Sequence, residues 1–299
     1  MRPIPRLNRF PAMNHLWNFH NNMAGTADFF RTSEDKLQQK TIEIEEKHLD
    51  MVRSIEYASR IQDAMLPSEE LFDAFFSDYF ILNKPKEIVS GDFYWMKKVC
   101  NKLIFTIADC TGHGVPGAFI SILGIMLLEQ ITSVDKIIQA DQILNILKER
   151  VALAISHNKN QEEMKEGLDL TLCVYDPDKQ NLQFSGALDR IYLVRDHSLT
   201  SLQSDKIYKS YHMDNDMPYE SMEITVHSGD VFYLFTDGYP DQFGGEKNKK
   251  FTLRRFQDLL RSIYYRKMIM QKKILEDTIS RWQGSIEQLD DITVMGIRF

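Results

Sequence analysis

Cysteine is scarce in this chain: Cys100, Cys110 and Cys173 are the only three in 299 residues, with neither the close pairing of a zinc site nor the density of a disulfide framework. Reduced thiols without a catalytic assignment follow. Long apolar runs are missing too. The longest near-apolar stretches, such as Ala118 to Leu128, fall short of the ~20 residues of a spanning helix, and the N-terminus lacks a signal-peptide pattern. The chain therefore reads as soluble and globular, with the cytoplasm as the expected compartment. A basic surplus is also absent. The formal charge of −7 lacks the electrostatic footprint of a nucleic-acid binder and leaves small molecules and proteins as substrates. No internal repeat or low-complexity tract appears. What is present is a hydrophobic share of 43 %, enough for one large domain or two ordinary ones.

Three segments are expected. Residues 1–31 hold prolines, asparagines and isolated aromatics without a sustained period, so they read as an irregular or weakly helical arm. Thr32 and Asp35 have the spacing of a capping box, and a helical pattern runs from there to Met65 and is stopped by Pro67, giving a linker over 32–67. Within it Leu37, Ile44, Met51, Ala58 and Met65 recur every seven residues, while the companion positions Thr41, His48, Ile55 and Gln62 are mostly polar. Half a heptad stripe has two readings: a weak parallel coiled-coil dimer, or packing on the chain's own domain.

Residues 68–299 form the third segment. Short strands are expected near Phe80 to Leu82, Gly91 to Met96 and Leu103 to Ala108, as an antiparallel meander. Gly114 and Pro116 open a helix through about Gln130, and a second helix follows near Lys136 to Ser156. A charged loop near 158–167 precedes strands at Leu170 to Tyr175, Leu182 to Ser185 and Ile191 to Val194. After a polar stretch, 204–221, strands resume at Met222 to Val226 and Val231 to Thr236. Helices near Leu253 to Tyr264 and Met268 to Trp282 lead to a last strand from Ile292. Strands in two clusters with helical pairs between and near the end point to an α+β layered fold rather than regular βαβ winding.

Four acidic motifs carry the chemistry: Ser90-Gly91-Asp92, Asp109-Cys110-Thr111-Gly112-His113-Gly114, Thr236-Asp237-Gly238 and Asp290-Asp291-Ile292-Thr293. Three sit at the end, or just before the start, of an apolar run that reads as a buried strand, where a carboxylate is held rigidly at a sheet edge. Convergent aspartates without histidine or thiolate partners suit hard divalent cations, Mn²⁺ or Mg²⁺. The glycines after Asp109 let the backbone bend and turn a carbonyl inward. Such a cluster repels itself without a counter-ion, so the metal-free protein is expected to be less stable. Water between two such ions is acidified and can attack phosphorus, which makes phosphate-ester hydrolysis the natural reaction.

These motifs, in this order, resemble the metal-dependent serine/threonine phosphatases of PPM type, in their bacterial SpoIIE/RsbU-like branch. The likeness spans roughly residues 50–299 and includes the segment from Ser54 to Pro67. It implies an αββα sandwich of two antiparallel sheets flanked by helices, two Mn²⁺ or Mg²⁺ ions, and hydrolysis of phosphoserine or phosphothreonine on a regulatory protein. By resemblance that protein is a phosphorylated anti-sigma-factor antagonist of the STAS fold. Asp109 would bridge both metals, Cys110 would lend its backbone carbonyl, Asp237 and Asp290 would complete the first shell, and Asp92 would organise the second ion's waters. Asp291 takes a capping or hydrogen-bonding role, or a ligand's, and Asp169 could touch a third, loosely held ion. His113 lies four residues beyond Asp109, where eukaryotic members have a histidine two beyond. It is a turn residue or a proton donor. The eukaryotic phosphate-gripping arginine has no clear counterpart, with Lys84 and Lys86 the nearby cations. A switch between the helix before Pro67 and the helix after Pro116 would set whether the second metal is held. The basic stretch from Lys247 to Lys267 reads as a solvated helix face or as a dock for an acidic partner. The non-enzymatic alternative is a pseudophosphatase that binds a partner through the helical arm. A third reading is hydrolysis of small phosphorylated metabolites.

Overall fold

The computed structural model describes residues 11–155, 167–186, 191–202 and 218–299, with side chains from residue 36 onward. The arm before residue 11, most of the charged loop near 158–167 and most of the polar stretch 204–221 lie outside the described residues. The chain divides into two compact units, Met1–Ser54 and Ile55–Phe299. Helix α1 spans Pro11–Met65, so it begins well before Thr32, and residues 11–31, expected as irregular or weakly helical, are helical. Proline at a first helical position gives up only an N–H that has no intrahelical partner, and no proline occurs between Pro11 and Pro67. In the first unit Leu37, Ile44 and Met51 are exposed.

In the second unit α2 (Glu69–Asp73) precedes strands β1 (Asp78–Lys84), β2 (Phe93–Val99) and β3 (Lys102–Cys110). Helices α3 (Gly114–Ser133) and α4 (Ala140–Ile155) follow. Next come β4 (Leu168–Asp176), β5 (Asn181–Gly186), β6 (Ile191–Arg195) and β7 (Ser198–Ser201). Then β8 (Met222–Thr225), β9 (Val231–Phe235) and the short α5 (Gly238–Asp241) lead into a small hairpin, β10 (Phe243–Gly244) and β11 (Lys249–Lys250). Helices α6 (Leu253–Ile263) and α7 (Met268–Gln283) and strand β12 (Ile292–Arg298) complete the unit.

Two five-stranded antiparallel sheets result, ordered β2-β3-β4-β5-β8 and β1-β12-β9-β6-β7. Their stacking follows from the period-two alternation of side chains along a strand. On β3, Leu103, Phe105 and Ile107 enter the layer between the sheets, while Ile104 and Ala108 face Leu128, Leu144 and Leu147 of α3 and α4. On β9, Phe232 and Leu234 fill the inter-sheet layer, while Val231, Tyr233 and Phe235 face Phe256, Leu260 and Leu275 of α6 and α7. Central strands covered on both faces explain why Leu103 to Ala108 and Val231 to Phe235 are almost wholly apolar. The order helix, sheet, sheet, helix is the αββα arrangement expected, and the fold class is α+β.

Two expectations need correction. Strands β1, β2 and β3 are not one meander: β2 pairs with β3, but β1 pairs with β12 in the opposite sheet. The crossing is tied at both ends by one side chain, since Asp291 Oδ1 accepts the Lys86 N–H at 2.7 Å and Asp291 Oδ2 accepts the Gly91 N–H at 2.7 Å. Helix α3, 20 residues long, is also long and apolar enough to cross a membrane, contrary to the reading that no stretch suffices. Half of its apolar window is buried, and Ile120, Ile125, Leu128 and Ile131 pack on β2, β3 and β4, as in a core helix.

Candidate active site

Asp109 is the penultimate residue of β3 and stands in register with Asp169 on β4. Alternation from Leu103, Phe105 and Ile107 directs Asp109 to the inter-sheet side, and residues directly opposite in an antiparallel pair share a face. Two carboxylates so placed repel. From the other sheet, Thr236 follows β9 and lines, with Asp169 and Ile107, a cavity of about 10 Å³ between the sheets. The ends of β3, β4 and β9 therefore meet at one edge of the sandwich.

Asp92 occupies the centre of this edge and is 4 % exposed. Thr236 Oγ1 donates to its Oδ2 at 2.6 Å, and the Thr293 N–H donates to Thr236 Oγ1 at 3.0 Å, so β9 and β12 together orient the carboxylate. Burial pushes the Asp92 carboxyl well above the usual range, and the charge of Asp109 and then of Asp291 adds to it, against the Thr236 hydrogen bond. The Cys110 thiol is buried and raised by burial and by the neighbouring charges of Asp92, Asp109 and Asp291, so it stays protonated. Its carbonyl is the usable donor. A side chain at Gly91 would meet the Gly112 carbonyl at 2.6 Å and the Cys110 carbonyl at 3.3 Å, so glycine there keeps both oxygens open beside Asp92.

The remaining candidates are distributed around this centre. Asp291 is buried and spends both oxygens on the Lys86 and Gly91 N–H groups, a hydrogen-bonding role. Asp237 is the N-terminal flanking residue of α5, and its carbonyl accepts the Asp241 N–H at 2.9 Å. Gly238 lies against the Asp291 carbonyl, where a Cβ would stand 1.9 Å from the oxygen, so these two motifs touch through backbone. Asp290 is exposed, and its Oδ1 accepts the Asp291 N–H at 2.9 Å. His113 is exposed at the start of α3, with Nδ1 2.6 Å from Glu87 Oε1. Lys84 reaches Gln283 at 3.4 Å rather than the carboxylates.

The donors fit a hard divalent cation in kind: carboxylates and carbonyls, no available thiolate, and a buried anion whose like-charged neighbours call for a counter-charge. Among the described residues no group of three or more His, Cys, Asp and Glu is close enough to hold a metal ion, so Asp109, Asp237 and Asp290 do not form a closed shell.

Sequence reasoning assigned no role to Gln62 beyond a polar interruption of the heptad stripe. The structure buries it, and its amide grips the backbone of Ser90 from both sides. Nε2 donates to the Ser90 carbonyl at 2.6 Å and to Ser121 Oγ at 2.7 Å, and Oε1 accepts the Ser90 N–H at 3.0 Å. One side chain of α1 thus holds the turn that carries Asp92 and the helix that follows Asp109. Gln62→Leu keeps the volume but strands two buried backbone groups, so a loss of about 2 kcal/mol is expected in urea unfolding. Gln62→Glu, which can still accept from Ser90 N–H, should lose less at acidic pH.

The chain is similar to solved PP2C structures. The SiaA-PP2C domain of Pseudomonas aeruginosa matches with a TM-score of 0.75 and 30 % identity, over 84 % of this chain and 98 % of that one. The PP2C phosphatase domain with a fragment of the regulatory domain of SpoIIE from Bacillus subtilis matches at TM-score 0.57 and 20 % identity, over 74 % of this chain and 63 % of that one. The RsbU and RsbW domains of Rv1364c from Mycobacterium tuberculosis match at TM-score 0.57 and 17 % identity, over 74 % and 60 %. At these lower identities the last two show the fold alone. None of the curated proteins matches the chain. The family model described as Stage II sporulation protein E (SpoIIE) covers residues 101–299. With β3 and every element after it inside that match, the chain belongs to the SpoIIE family, in the SpoIIE/RsbU-like branch of the PPM phosphatases with the PP2C fold.

Proposed function

We propose that this chain is a metal-dependent protein serine/threonine phosphatase that removes phosphate from phosphoserine or phosphothreonine on a regulatory protein, a STAS-type anti-sigma-factor antagonist. The observation that carries the reading is the buried Asp92, held by Thr236 against the charges of Asp109 and Asp291 at the sandwich edge. Two ions, Mn²⁺ or Mg²⁺, with a third weakly held at Asp169, would acidify a water and stabilise the phosphoryl oxygens that gain charge. Asp109, the Cys110 carbonyl, Asp237 and Asp290 are the residues to hold the first, with Asp109 shared by the second. Thr236 orients Asp92 through Oδ2, and the Asp92 carboxylate would organise the waters of the second ion. Asp291 pins the Ser90 to Asp92 turn through Gly91. His113, held through Nδ1 by Glu87, is the residue to give a proton to the departing serine or threonine oxygen.

Regulation is proposed through Gln62. Binding of a partner, or pairing of two copies through the linker in a homodimer, would shift α1, and the shift reaches Asp92 through Ser90 and α3 through Ser121. Removing residues 1–50 should alter Mn²⁺-dependent turnover; unchanged rate and metal requirement would sink this part. The cytoplasm remains the proposed compartment.

The test of the function is hydrolysis. With Mn²⁺ or Mg²⁺ the chain should cleave p-nitrophenyl phosphate and prefer phosphoproteins, a phosphorylated STAS antagonist among them, to free phosphosugars. The competing reading is a pseudophosphatase that binds a phosphoprotein without turnover, against which the intact Asp92, Asp109, Asp237 and Asp290 argue. Retention of a phosphorylated antagonist with no phosphate release at any metal concentration would establish that reading instead.

A further inference from the structure

Part of the basic stretch singled out in the sequence is exposed and lines an open surface groove. Lys249 and Lys250 from the β10–β11 hairpin and Arg254 and Arg255 from the first turn of α6 line an open groove of about 610 Å³, with Phe243 on its wall and one acid, Asp258. Asp258 is already paired with Arg261 at 3.0 Å, and Lys250 with Asp241 at 2.8 Å. The Arg255 guanidinium lies over the Trp282 ring, 4.5 Å from its centroid. Lys249 and Arg254 are exposed and make no ion pair among the described residues.

The hairpin is tied to its neighbours. Gly245 N–H donates to the Trp282 carbonyl at 2.8 Å, and side chains at Gly244 or Gly245 would collide with Trp282, so the hairpin sits directly on α7. Phe251 stacks edge-on against the same indole at 5.4 Å. The charge placement also runs against local stability. Two arginines and no acid occupy the first turn of α6, where the helix dipole already presents positive charge. Cations gathered at a positive helix end, along an open groove, are an arrangement that an anion relieves.

The occupant must be anionic, larger than a single phosphate, and able to approach a chain whose net charge is −7. That global charge repels an extended nucleic acid, whereas a short acidic peptide segment meets only the local patch. The position is informative as well: Lys250 is bonded to Asp241 at the end of α5, the four-residue helix that Asp237 begins. From these observations we infer that the groove between the β10–β11 hairpin and α6 docks an acidic segment of the phosphoprotein substrate, outside its phosphorylated residue. The inference rests on the phosphatase reading for the word substrate, and on the groove alone for the acidic segment. The site sets specificity through KM; it takes no part in bond breaking.

The test uses the full chain and the double variant Lys249→Glu/Arg254→Glu, which alters two exposed, unpaired side chains, with Lys249→Arg/Arg254→Lys as the conservative control. A fluorescein-labelled poly-aspartate peptide, followed by anisotropy, should bind the parent and the control, weaken with salt, and lose about tenfold in affinity in the charge-reversed variant. On a phosphoserine peptide carrying an aspartate tract, KM should rise about tenfold with kcat unchanged, while both constants for p-nitrophenyl phosphate stay as in the parent. Equal binding of poly-aspartate to parent and charge-reversed variant, or none to either, overturns the docking site. Tighter binding of an oligothymidylate, lost in the same variant, overturns the choice of a protein ligand. Absence of turnover on every phosphorylated substrate, with peptide binding still sensitive to charge reversal, counts against the phosphatase reading and supports the acidic-segment dock.

Discussion

Asp109→Asn is expected to lower turnover of p-nitrophenyl phosphate by roughly 10³-fold at saturating Mn²⁺, the scale of losing one principal charge-stabilising group in a preorganised site. The substitution keeps the shape of the side chain and removes only its charge. Asp109 sits in a strand whose backbone pairs on both sides, with Phe93 and Ala108 in register on one flank and Asp169 opposite on the other, so β3 has no reason to unfold. Removing one of two carboxylates facing each other should leave the melting temperature of the metal-free protein unchanged or raise it. Activity and stability are thus expected to move independently or in opposite directions. Asp237→Asn should give a comparable loss, because its motif is locked to Asp291 through the Gly238 contact and its side chain makes no capping hydrogen bond to α5. Initial rates and thermal melts on the same preparations decide the matter. Activity of the same order as the parent would take Asp109 out of the reaction, and a collapse of the fold would make the residue structural instead.

How far the chain could be read beforehand depended on how local each signal was. The carboxylates were legible because each ends or precedes an apolar run: Asp109 after Leu103 to Ala108, Asp237 after Val231 to Thr236. Such runs are strands buried on two faces, and the structure splits their side chains between an inter-sheet and a sheet-helix layer. Pairing was not legible. The turn between β1 and β2 looked like any short connection, and its crossing to the second sheet is fixed by Asp291, which reaches Gly91 from 200 residues away. The same carboxylate read as a capping or hydrogen-bonding neighbour of Asp290, or a ligand, and the structure has it accept from both Lys86 and Gly91. Asp169 became meaningful only with the register that sets it opposite Asp109. Gln62 left a trace in the heptad pattern as a polar residue where an apolar one was expected, but a pattern cannot distinguish a solvated glutamine from one bonded to Ser90 and Ser121. The basic stretch likewise read as a solvated helix face or an acidic-partner dock, and only the structure sets part of it along a groove beside the β10–β11 hairpin.

Asp92→Asn is expected to raise the melting temperature of the metal-free protein at neutral pH by several degrees, an unusual outcome for a change at a buried position. The sign follows from linkage. In the folded chain the Asp92 carboxyl titrates well above its unfolded value, because burial, Asp109 and Asp291 all disfavour the anion more than Thr236 favours it. A group whose folded pKa is raised contributes stability that is complete below the unfolded pKa, about 3.9 for aspartate, and is lost as the pH climbs through the folded value. Ionised Asp92 is therefore a liability at neutral pH without a counter-charge, and asparagine, which can still accept from Thr236 Oγ1, removes it. The advantage of the variant should shrink as the pH is lowered toward the unfolded pKa, where the parent's own carboxyl is protonated. Adding Mn²⁺ or Mg²⁺ at neutral pH should reverse the ranking, since the parent gains binding free energy that the variant largely lacks. Melting curves in a chelator and in excess metal, across that pH range, contain both comparisons. A variant that melts below the parent in chelator at neutral pH would mean that Asp92 is stabilised as an anion by the protein alone, and the case for a cation at this edge would lose its electrostatic basis.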